Sequence, residues 1–128
     1  VTSAVSLAVI LLANVSPLAG QSEPVSEDEA QRTAGACVIQ FATRWSVLSD
    51  SASDIAEAAL FSCRSEIDKI WPLGEKELIK QKMDSGASLQ DVNKIVYEYR
   101  NNLLEFYRKG AITLVVEQRY EKAFGVTK

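Results

Sequence analysis

Few residues in this 128-residue chain could do chemistry, and the first constraint is that it contains no histidine. Ser-His-Asp and Cys-His arrangements are excluded, as are zinc and non-haem iron sites of the common histidine-containing kinds. Cys37 and Cys63 are the only thiols and stand far beyond the CxxC spacing of a redox pair. There is no glycine-rich phosphate loop, P-loop or EF-hand pattern. No cofactor or metal is expected.

Carboxylates are the remaining acids and bases, notably Glu66, Asp68, Glu75, Glu77, Glu98 and Glu105. Two carboxylates can hydrolyse a glycosidic bond, but only across a cleft and at a defined separation. Their spacing along the chain reads instead as solvated helix faces. The C-terminal third is rich in tyrosine and arginine, and Tyr97, Arg100, Tyr107, Arg108 and Arg119 form the candidate interaction surface. Both residue types are enriched among interface anchors. Core packing is the default reading of the aromatics, since rings at helical spacing are usually structural.

With 14 Lys and Arg against 17 Asp and Glu, the net charge is −3 and the signs are interspersed. A nucleic-acid partner requires a clustered basic face, so none is expected.

The elements that must position these residues read as helices. Ser26-Glu27-Asp28-Glu29 matches a capping box with acidic residues at the positive end of the helix dipole. Ala34, Cys37, Val38, Phe41, Trp45 and Leu48 follow at the spacing of one buried helical stripe. Residues 49–54 (SDSASD) favour a turn and a new N-cap. A second helix then carries Ile55, Ala56, Ala59, Leu60, Cys63, Ile67 and Ile70, and Pro72 is expected to end it. Glu75 to Met83 reads as a short, exposed helix, and Ser88-Leu89-Gln90-Asp91 as the next cap.

Leu89, Val92, Val96, Tyr99, Leu103 and Phe106 keep an alternating 3-4 spacing, which predicts a long helix with these residues facing the core. Tyr107 then belongs to the partner-facing surface. Residues 111–116 (AITLVV) are β-branched enough for a strand, yet no second strand is evident. The preferred reading is a continuing helix to Phe124, with Gly125 beyond its end.

Ahead of the domain, residues 1–20 carry no charge, and Ala4 to Val15 forms an apolar run of signal-peptide length. The expected organisation is a signal peptide over 1–20, a linker over 21–25 and a single helical domain over 26–128. That places the protein in the periplasm or outside the cell, with membrane contact only through an uncleaved leader.

Such compartments are oxidising. In a helical hairpin turning near Asp50, Cys37 and Cys63 lie level with each other, as do Phe41 with Ala59 and Trp45 with Ile55. A disulfide is the expectation, and two buried free thiols are the alternative.

Cys37 and the run Ser51 to Cys63 (SASDIAEAALFSC) resemble small exported bacterial proteins of uncharacterised function. Those carry a cysteine, a short Ser/Asp turn, an Ile-Ala-x-Ala-Ala helix and a second cysteine. The resemblance covers about thirty residues and implies a cysteine-linked helical hairpin and an envelope location, with no activity attached.

The fold class is therefore all-α, a bundle of three to five helices whose first two form an antiparallel hairpin tied by a disulfide. The expected function is a periplasmic or secreted binding module, with another envelope protein as partner and homo-oligomerisation left open. The alternatives are a carboxylate-based hydrolase of envelope polymers and an inhibitor of an envelope enzyme presenting the loop Pro72 to Glu75.

Overall fold

A computed structural model of the protein describes residues 25–125. The expected signal peptide, and the linker up to residue 24, lie outside the described residues. Five helices follow one another: α1 (Glu27–Trp45), α2 (Ala52–Ser62), α3 (Arg64–Asp68), α4 (Trp71–Asp84) and α5 (Leu89–Phe124). Among the described residues there is no strand, so residues 111–116 continue the last helix.

Three serines start three helices for the same reason. Each takes extended backbone, and its hydroxyl accepts from the free N–H three residues on: Ser26 from Glu29 at 3.1 Å, Ser51 from Asp54 at 3.1 Å and Ser88 from Asp91 at 3.2 Å. The chain leaves α4 through Gly86 and α5 through Gly125, both at positive φ, where a Cβ would be strained.

The core lies between α1, α2 and α5. Ala30, Ala34, Val38 and Ala42 repeat every four residues on the buried face of α1, and Ile55, Ala56, Ala59 and Leu60 answer from α2. Alanines at these contacts let the backbones approach, and the disulfide between Cys37 and Cys63 joins the two helices with the Cα atoms 5.9 Å apart. The second helix is shorter than expected. It is interrupted at Cys63, which caps both α2 and α3, and both Ile67 of α3 and Ile70 beyond it remain buried.

Pro72 does not terminate a helix. It occupies the first turn of α4, where the N–H it lacks would have had no partner. Pro72 to Glu75 is consequently helical rather than a protruding loop. Gly74 is buried against α5, where a Cβ would fall 1.9 Å from the Tyr99 hydroxyl oxygen.

The buried face of α5 also departs from the heptad reading. Leu89 and Phe106 are exposed, whereas Val92, Tyr107, Ala111 and Val115 are buried. From Tyr99 onward the contacts step by four residues, and each such step overshoots a full helical turn by about 40°. The buried stripe therefore spirals as the neighbours of α5 change, from Trp71 and Gly74 of α4, through Gln31 and Gly35 of α1, to the α1–α2 turn.

Candidate functional site

Successive turns of α2 and α5 present a continuous groove of about 550 Å³. Glu57, Leu60, Phe61 and Arg64 recur at helical spacing on one wall, and Tyr97, Arg100, Asn101, Leu104 and Arg108 on the other. Ile67, Asp68 and Trp71 close one end. The buried side chains of Leu60 and Ile67 make an apolar floor, while Phe61 and Tyr97 are 74% and 67% exposed.

The arginines are already held by carboxylates. Arg108 donates to Glu57 across the groove and to Glu105 on its own helix, and Arg100 donates to Glu75 of α4. The Arg100 guanidinium also lies 5.5 Å from the centre of the Trp71 ring, within cation–π range. The Trp71 indole N–H donates to Asp68 at 3.1 Å, and Arg64 stands 3.8 Å from the same residue. Donating to Glu75 and to Glu57 raises the pKa values of Arg100 and Arg108 further above an already high value, so both stay cationic.

Aromatic rings offer stacking area, and guanidinium groups can exchange an internal carboxylate for one on a ligand.

Three of the five expected surface residues, Tyr97, Arg100 and Arg108, meet here. Tyr107 does not: it is 5% exposed, and its hydroxyl donates to the Gln31 carbonyl at 2.8 Å. Burial raises its pKa. The adjacent Phe106 takes the exposed position instead, because the spiralling stripe advances by one residue at this point. Arg119 is committed to structure. Its guanidinium donates to the carbonyls of Ser46 at 3.0 Å, Leu48 at 2.7 Å and Asp50 at 2.5 Å, pinning the α1–α2 turn to α5.

Phe61 and Trp71 belong to the groove but were not singled out by sequence. Phe61 lies off the inward stripe of its helix, and an aromatic in that position is the signal that marks it. Trp71 gave no comparable signal, since its contacts with Arg100 and Tyr99 come from another helix.

Beside the groove, Tyr99 donates to Glu27 at 2.7 Å, and Gln31 donates to the same carboxylate oxygen at 3.1 Å. Burial first, then the Glu27 hydrogen bond and charge, push the Tyr99 pKa well above the ordinary tyrosine value.

The candidate carboxylates are dispersed. Glu66 pairs with Lys69, Glu75 with Arg100 and Glu105 with Arg108, and Glu77 accepts from Gln81. Among the described residues no group of three or more acidic or cysteine side chains could hold a metal, and no helix is long and apolar enough to cross a membrane. No known protein family, curated protein or solved structure matches the chain.

Proposed function

We propose that this protein is a periplasmic or secreted binding module whose groove between α2 and α5 receives a segment of another envelope protein. The observation that carries this reading is the pair of exposed aromatics, Phe61 and Tyr97, standing over an apolar floor and flanked by arginines. Such rings gain from being covered, and tyrosine and arginine are frequent anchors at interfaces. The segment received has an apolar or aromatic side chain to lie between the rings and a carboxylate to engage Arg64 or Arg100.

In this reading α1 and α2 are antiparallel arms, held level by the Cys37–Cys63 bridge at equal distance from Asp50. The bridge suits an oxidising compartment, and export through the apolar run of residues 4–15 would deliver the chain there.

The test is co-purification from envelope extract with wild-type protein and with the double variant Phe61→Ala/Tyr97→Ala. A partner held by the wild type should be lost by the variant, with helical circular dichroism unchanged. Equal recovery by both would contradict the reading.

A carboxylate-based hydrolase draws on Glu57 and Asp68, which line the same groove. Such an enzyme needs two carboxylates held at a defined separation across a cleft. Both carboxylates instead stand more than half exposed, with arginine partners. The inhibitor reading loses the protruding loop it relied on.

A further inference from the structure

On the side of α5 turned away from the groove, Phe106, Thr113, Tyr120 and Phe124 stand on one face. Helical steps of 100° place them within about 40° of a common line. Phe106 is 71% and Phe124 69% exposed, and the Tyr120 and Phe124 rings pack on each other with centroids 4.6 Å apart. Phe106 also lines a second, mostly apolar hollow of about 520 Å³ between α5 and α1, bordered by the exposed Ile39.

The charges on this face are arranged symmetrically. Lys109 and Glu117 lie four residues either side of Thr113, both line the hollow, and neither enters an ion pair among the described residues.

We propose that this face receives a second copy of the chain, with the two α5 helices antiparallel about a two-fold axis at Thr113. A two-fold contact must be self-complementary, each residue meeting a residue equally distant from the axis. Reflection about position 113 sets Lys109 opposite Glu117 of the other copy, and Phe106 opposite Tyr120. Both ion pairs and both aromatic pairs form at once along about 21 Å of helix from 106 to 120. This surface is separate from the groove of the proposed function, so either can fail without the other.

Sedimentation and native mass spectrometry of the protein as purified read the outcome. The wild type is expected to dimerise, and Lys109→Glu or Glu117→Lys, each placing like charges together, to weaken the dimer at least about tenfold. Combining both substitutions in one chain should restore it, as should mixing the two single variants, because opposite charges then face each other again. Thr113→Cys should cross-link to itself under oxidation, while a cysteine at the exposed Lys80 should not. A wild type that stays monomeric, a dimer indifferent to the single reversals, or failure of the double reversal to restore it overturns the proposal. A heteromeric complex in place of a dimer would assign the face to a different partner and also overturn it.

Discussion

Gly74 and Tyr99 decide how closely α4 approaches α5. Alanine at position 74 would place a Cβ 1.9 Å from the Tyr99 hydroxyl and 2.6 Å from Glu27, so the ring must leave its hydrogen bond. Gly74→Ala is expected to cost about 2 kcal/mol in urea unfolding despite the helix preference of alanine. Gly35→Ala, whose Cβ meets Tyr107 at an ordinary 3.7 Å, should instead stabilise by about 0.5–1 kcal/mol. In a Tyr99→Phe background the Gly74→Ala cost should shrink, which a double-mutant cycle measures. Tyr99 and Tyr107 both have folded pKa values raised above the ordinary tyrosine value of about 10. The protonated forms are favoured by folding, so their stabilisation is complete below about pH 10 and is lost as pH rises through the folded values. Tyr99→Phe should flatten part of that alkaline decline in a pH series of unfolding midpoints. None of this was legible in the chain, because Gly74 and Tyr99 meet only after α4 turns back at Gly86. Tyr97, Arg100 and Arg108 were singled out by residue type alone, and only the packing of α5 against α2 brings them to one groove.

At the scale of elements, two devices hold α1, α2 and α5 in register. The bridge between Cys37 and Cys63 closes a loop whose entropy, in the chain-constraint account, corresponds to about 3–4 kcal/mol. Urea unfolding with and without reductant should differ by that order, and the unreduced protein should show no alkylatable thiol. Arg119 closes the other end, satisfying carbonyls at the end of α1 and in the turn. Arg119→Ala should cost about 1–2 kcal/mol and raise amide exchange in residues 46–51. Lysine should rescue little, since it lacks the planar fork that reaches several carbonyls. Helix starts were readable because a serine cap is a local signal, and the bridge because its two cysteines stand equally far along the chain from Asp50. The role of Arg119 was not readable, since a backbone carbonyl has no identity in sequence. The exchange of Phe106 for Tyr107 had a comparable cause: a repeat of 3.5 fits a straight seam, and α5 changes neighbours along its length. Pro72 misled because proline is compatible with a first helical turn as well as with a helix end.

For the whole molecule, the core and the surface grooves follow from one geometric fact: α5 is 36 residues long and serves several neighbours in turn. As its buried stripe spirals, the groove with Phe61 and Tyr97 opens on one side and the Phe106–Phe124 face on the other. The all-α class was legible from periodicity, whereas the groove required α2 and α5 to be brought together. The central claim is that this groove is the working surface, and it is tested most directly by site-specific photo-cross-linking in the living cell. A photoreactive phenylalanine analogue replaces Phe61 or Tyr97 in turn, with the exposed Lys80 position as control. A discrete adduct of the same mass increment from both groove positions and none from position 80 is the predicted result; no adduct from either groove position, or the same adducts from all three, would contradict it.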